Sequence, residues 1–252
     1  ETDMGWSLGV PGDNASTGIW VREEPVGTTY SGYTIQPDFD HTPDPGEICF
    51  ITGNTPVGGG AGDNDVDGGK TTLMTPVFGL AGATEATISY WRWYSNSWGG
   101  APDNDWWDVE VTANGIDWVS LEHTMQTEAE WVQRTFDLTE YIEPSAQVQI
   151  RFIAADEGEG SLVEAGVDDF MLSASFPPAS DAGNEAIGQQ FGLLFSGPNP
   201  VGPDTRIVYQ LGHATQVDLA LYDISGRMVR SLVQGTVEGG THTISFDGRS
   251  QT

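Results

Sequence analysis

Val148-Gln149-Ile150-Arg151-Phe152-Ile153-Ala154 decides the class of fold. Val148, Ile150, Phe152 and Ala154 fall on one parity, while Gln147, Gln149 and Arg151 fall on the other. That is the period-two signature of a strand with one buried face. The same grammar continues outward. Trp107, Val109 and Val111 face one way, with Asp108 and Glu110 opposite. Val132, Phe136 and Leu138 share a parity against Gln133 and Asp137, and this alternation with Pro144 beyond it favours a strand over a helix across 127–141. Ala86-Thr-Ile-Ser-Tyr-Trp-Arg-Trp-Tyr94 is apolar or aromatic on both parities, which predicts a central strand covered on both faces. Asn114-Gly115 supplies a turn between strand-like runs. The expected fold is therefore all-β, with a two-sheet sandwich in the first module.

A second run of alternation follows: Ile207, Tyr209 and Leu211, then Val217, Leu219 and Leu221, then His242, Ile244 and Phe246. Ser225-Gly226 and Gly239-Gly240 mark turns between them. The break Ser175-Phe-Pro-Pro-Ala-Ser-Asp-Ala-Gly-Asn184 separates the two. The reading is a two-sheet sandwich module over 1–176, a linker at 177–190 and a small immunoglobulin-like sandwich over 191–252, short of strands at its C-terminal end. The chain opens Glu1-Thr2-Asp3 with neither an initiator Met nor a signal-type segment, so it reads as a piece of a longer protein.

Composition narrows the function. The 252 residues carry 37 Asp+Glu against 9 Lys+Arg, a formal net charge of −28. Thirty of the acids and five of the basic residues lie in 1–176. Such a surface repels nucleic acid and anionic lipid, which makes both poor candidates for partners. No run of 18 apolar residues could span a membrane as a helix. Cys49 is the single cysteine, so no internal disulfide and no cysteine-based zinc site can form. Flanked by Ile48 and Phe50, it reads as a small buried hydrophobe. Stability must then come from core size or from a metal.

Asp63-Asn-Asp65-Val-Asp67-Gly68 carries the sharpest chemical signal. Carboxylates at alternate positions before a glycine match the first half of an EF-hand loop. The twelfth position falls on Met74 where a bidentate Glu belongs, so the segment is not an EF-hand. A calcium ion takes six to eight oxygens, and the remote candidates to complete its shell are Asp40 and the pair Asp168-Asp169. A regular strand through that pair puts one carboxylate on each face, and the buried one requires a cation or hydrogen-bond donors. With five basic residues in the module, a metal is the expected partner, and Ca2+ in a structural role is the expected cofactor.

No catalytic constellation stands out: neither His-Glu-x-x-His, nor Gly-x-Ser-x-Gly, nor a phosphate-cradling loop is present. Acid pairs such as Asp103/Asp105 and Asp156/Glu157 arise by chance among 37 acids. Trp98, Trp106 and Trp107, beside the loop Gly99-Gly100-Ala101-Pro102-Asp103, form a candidate sugar-stacking platform, with Trp98 the most exposed of the three.

Asp40-His41-Thr42, Cys49–Asn54, Lys70–Val77, Ile88–Tyr94, Asp108–Thr112, Trp131…Leu138 and Val167–Leu172 together resemble a bacterial MAM-like jelly roll. It is the kind that stands beside metallopeptidase domains of the immune-inhibitor-A type and in secreted zinc carboxypeptidases. Gly18–Gly27 and Ser161–Ala165 carry the closer likeness. The resemblance implies a structural calcium held by the Asp40 region and Asp168, with the Asp65/Asp67 loop contributing or forming a second site. Asn199-Pro200, Thr205–Leu211, Val217–Asp223, Ser225–Arg230 and Gly240–Gly248 resemble the FlgD-like or C-terminal sorting-type immunoglobulin-like domain. Together these imply a non-catalytic accessory region of a secreted, extracellular or surface-attached hydrolase. Its partners would be the parent catalytic domain and a glycan or protein surface. Two alternatives are a carbohydrate-binding module proper and a structural subunit that assembles through an open sheet edge.

Overall fold

The computed structural model describes residues 5–43, 45–177, 192–196, 205–222 and 228–246. The chain divides into two compact units, residues 1–177 and 178–252. Past residue 177, the expected linker lies outside the described residues, as does the C-terminal end where the second module was read as lacking a strand.

The first unit pairs two five-stranded antiparallel sheets. One contains β1 (Ser7–Leu8), β6 (Gly69–Met74), β11 (Gln149–Asp156), β8 (Trp107–Thr112) and β9 (Trp118–Thr124), in that spatial order. The other runs β10 (Glu128–Asp137), β7 (Glu85–Ser95), β12 (Glu164–Ser175), β5 (Cys49–Thr52) and β2 (Trp20–Glu23). A short hairpin, β3 (Thr28–Tyr30) and β4 (Tyr33–Gln36), forms a separate two-stranded sheet and packs against the second of these sheets through Ile35 and Gln36. The segment 127–141 is strand through Asp137 and then a single 3-10 turn at Leu138–Glu140, capped by the Asp137 carboxylate on Thr139 N–H.

Alternation places the core between the sheets. Val148, Ile150, Phe152 and Ala154 are all fully buried, as are Trp107, Val109 and Val111. They meet Trp20, Ile88, Tyr90, Tyr94 and Val167 from the facing sheet. Each buried Val, Ile or Phe among them contributes roughly 1.5–3 kcal/mol. The other face of β7 is covered over only part of its length. Trp93 is buried, its Nε1–H donating to Ile35 O at 2.8 Å, whereas Thr87, Ser89 and Trp91 are half-buried.

Arg92 lies on the core-side parity of β7, where its two terminal nitrogens are paired and its buried Nε is not. Its guanidinium meets Glu122 and Glu128, which Arg134 also engages. Tyr90 and Trp107 donate to the same Glu122 carboxylate at 2.8 and 3.1 Å.

In the second unit, β13 (Gly192–Ser196), β14 (Thr205–Leu211) and β17 (Gly240–Phe246) form one antiparallel sheet, and β15 (Thr215–Tyr222) pairs with β16 (Met228–Val237). Ile207, Tyr209 and Leu211 are buried on one parity of β14.

Candidate functional site

Two features of the first unit, one exposed and one buried, lie near the loop carrying Trp98. The first is aromatic. The β3–β4 hairpin turns on Ser31 and Gly32, both in the left-handed region at φ 52° and 85°. Consecutive positive φ values define the type I′ turn whose twist matches paired strands. Tyr30 and Tyr33 therefore stand opposite each other across the hairpin, 47% and 58% exposed. Trp98 is half-buried beside them, its ring centroid 4.6 Å from Tyr33 and 5.9 Å from Tyr30.

The loop behind Trp98 is laced to the loop entering β12. Trp98 O accepts from Leu162 N–H at 2.7 Å, and Gly160 O accepts from Gly100 N–H at 2.7 Å. The Ser161 hydroxyl donates to Ala101 O at 2.8 Å. Gly99 permits this approach: its φ is +109°, and a Cβ there would lie 2.7 Å from Ser161 Cα.

The second feature is a set of buried carboxylates at the base of these loops. Asp65, Asp105, Asp156 and Glu164 are each 1–2% exposed, and Asp67 is half-buried. Burial first, then the charges of Asp67, Asp156 and Asp63, push Asp65 up to about 7. Burial, then Asp105 and Asp67, push Asp156 up to about 6, against the pull of the Ser161 N–H bond. Burial drives Glu164 well above the ordinary carboxylate range; the Thr52 hydroxyl opposes the rise and Asp65 adds to it.

Of the residues expected to bind calcium, the structure brings Asp65 and Asp67 to this set. Asp63 is exposed and accepts locally from Gly60 N–H at 2.7 Å. Asp168 is elsewhere. Glu164 pairs with Ser95 and Asp168 with Trp91, four residues further along β7, or about 13 Å at the rise of a strand. The acid pair does not sit in a regular strand. The register of β12 on β7 shifts between Asp168 and Met171, with Asp169 at φ 46°. This bulge takes up the extra residue and returns Phe170 to the core side. Hydrogen-bond donors serve the buried Asp168: Oδ2 accepts from His41 N–H at 2.8 Å, Thr42 N–H at 3.1 Å and Thr42 Oγ1 at 3.3 Å. Asp169 takes His41 Nδ1 and Thr42 Oγ1 at 2.8 and 2.9 Å. Asp40 is buried in the same segment. Asp168 and Asp169 thus anchor the Asp40-His41-Thr42 loop.

Among the three tryptophans, Trp107 belongs to the core at zero exposure, which corrects its candidacy for ligand contact. Trp106 is half-buried with the His123 ring 6.2 Å away. Tyr30 and Tyr33 were not foreseen as site residues. A Ser-Gly turn between two tyrosines was the available signal. Asp105, Asp156 and Glu164 had no local signal, being acids among many.

No family model matches the chain, and no curated protein matches it. Among solved structures, TmCBM61 in complex with β-1,4-galactotriose is 12% identical, covering 68% of this chain and 89% of its own, with a TM-score of 0.40. The K1 cleaved adhesin domain of Lys-gingipain from Porphyromonas gingivalis W83 is 14% identical, covering 69% and 93%, with a TM-score of 0.41. The K3 cleaved adhesin domain of the same protein is 16% identical, covering 61% and 91%, with a TM-score of 0.35. Likenesses this distant assign neither ligand nor family. The all-β sandwich rests on the strand pairing itself.

Proposed function

We propose that the first unit is a non-catalytic carbohydrate-binding module that holds a neutral glycan on Trp98, Tyr33 and Tyr30. One observation carries the reading: three aromatic rings adjoin at the surface on a tight hairpin and a tied-down loop, with two of them largely exposed. Indole and phenol rings offer flat apolar faces with a polar tip, which suits the C–H faces of pyranose rings while their hydroxyls stay wet. The formal charge of −28 disfavours polyanionic glycans, so neutral polysaccharides are the expected class. The resemblance to MAM-like and FlgD-like domains supports a setting as the accessory part of a larger extracellular hydrolase. In that setting the module makes and breaks no bond.

Affinity electrophoresis and calorimetric titration against a panel of neutral polysaccharides test the reading. Binding to one or more, lost in Trp98→Ala with an unchanged melting temperature, is the expected result. Silence across the panel, or full binding by Trp98→Ala, would overturn it.

A further inference from the structure

We infer that the Trp98, Tyr33 and Tyr30 site takes a short stretch of a single, soluble glycan chain and does not adhere to the face of a crystalline polysaccharide. The inference rests on the aromatic platform proposed above and adds the physical form and length of the ligand.

The inclination of the rings carries the argument. Tyr33 meets Trp98 at an interplanar angle of 33°, and Tyr30 meets it at 51°. A crystalline polysaccharide presents its sugar faces as one plane, and holding such a plane takes aromatic faces that are themselves coplanar and spread along the chain direction. Three mutually inclined rings share no plane, so a flat solid rests on one of them and stands off the others. Contact with a single ring is too small to offset the freedom lost on binding. A dissolved chain turns about each glycosidic linkage, and its successive faces follow inclined rings.

The tilt belongs to the local fold. Ser31 and Gly32 hold the hairpin turn in the left-handed region, and Trp98 O is tied to Leu162 N–H. Trp98 is half-buried with Tyr33 against it, so the indole shows solvent only part of its face. A crystal-face binder needs that face open.

The backbone also keeps the cluster small. Tyr30 and Tyr33 stand directly opposite each other across the hairpin, where Cβ atoms are about 5 Å apart. Centroids 4.6 and 5.9 Å from that of Trp98 are at the separation of touching rings. The three faces therefore make one patch and not a row of separate stops. Among the described residues no fourth ring joins them. Trp91 stacks with His41, Trp118 with the Arg151 guanidinium, and Trp131 packs against Trp93. A short oligosaccharide fills the patch, and further sugars find no ring to stack on.

The test compares forms of ligand on the full chain. Soluble xylan, galactomannan and mixed-linkage glucan are titrated by calorimetry, and depletion from solution is measured over microcrystalline cellulose and crystalline chitin. Binding to at least one soluble polymer and no depletion by either solid is the expected result. Oligosaccharides cut from the polymer that binds should gain affinity up to about the trisaccharide and level off thereafter. Tyr30→Ala and Tyr33→Ala should each weaken binding several-fold. Retention on a crystalline solid, or affinity still climbing at the hexasaccharide, would overturn the inference and leave the platform standing. Undiminished binding in both folded tyrosine variants would also overturn it. If those variants unfold, the comparison of solids and oligosaccharides on the parent chain decides alone. Silence toward every glycan, soluble or solid, would remove the platform itself and this inference with it.

Discussion

The imidazole of His41 lies flat on the indole of Trp91, ring centroids 3.6 Å apart and 16° from parallel. Asp169 holds the ring through Nδ1, and Asp168 collects the His41 and Thr42 amides from below. The loop is thus pinned by acids on a bulge rather than by apolar burial. Asp168→Ala should strand two backbone donors and cost about 1–3 kcal/mol. Limited proteolysis should then cut within residues 37–43, where the parent chain resists.

Arg92 is a charge with nowhere to go but its two glutamates. Arg92→Met should cost about 1–3 kcal/mol, because Glu122 and Glu128 lose one guanidinium partner and keep Arg134. Denaturant melts of the variant should show a lower midpoint with an unchanged slope.

Two tryptophans close in sequence should behave oppositely. Trp107→Ala removes a fully buried ring and should cost about 3–5 kcal/mol. Trp98→Ala should leave the thermal midpoint nearly unchanged while removing glycan retention. Equal destabilisation by both would show Trp98 to be a packing residue.

The acidic loop depends on two glycines that let it approach the neighbouring segments. At Gly18, φ is +66° and a Cβ would lie 2.4 Å from Val66 Cα; at Gly53, φ is +46° and a Cβ would lie 2.0 Å from Asn64 O. No flexible side chain can yield at either place, since both contacts are backbone. Gly18→Ala and Gly53→Ala should each destabilise measurably in thermal melts, whereas Gly58→Ala, with φ +85° but open space around it, should cost less.

Cys49 is buried at 2% exposure. Its thiol should stay silent toward an aromatic disulfide reagent in the native protein and titrate fully in denaturant. Rapid reaction under native conditions would show that β5 opens readily.

The strands were readable because a half-buried strand writes its burial into alternate residues. Trp107 to Val111 and Val148 to Ala154 show this plainly, and their buried parity in the structure is the one the residues declare. The covered upper part of β7 was likewise visible as aromatic residues on both parities. Local chemistry also exposed the Asp65-Val-Asp67 turn and the surface character of Trp98 relative to Trp107. The bulge at Asp168 was not visible. Nothing in Val167-Asp-Asp-Phe170 distinguishes a regular strand from one with an inserted residue, because the shift is defined by the partner strand.

Taken alone, the sequence determined the all-β class, the inward parity of strands such as β8 and β11 and the excess of carboxylate over cation. Those are properties of single segments and of sums. Which acids share a space, and which tyrosines stand beside Trp98, were decided by the tertiary structure alone. Asp67, Asp105 and Asp156 are brought together by strand order, and Tyr33 reaches Trp98 across 65 residues of chain. Neither proximity leaves a periodic trace, because contact between distant segments is set by how the sheets pair and not by the spacing of residues along them.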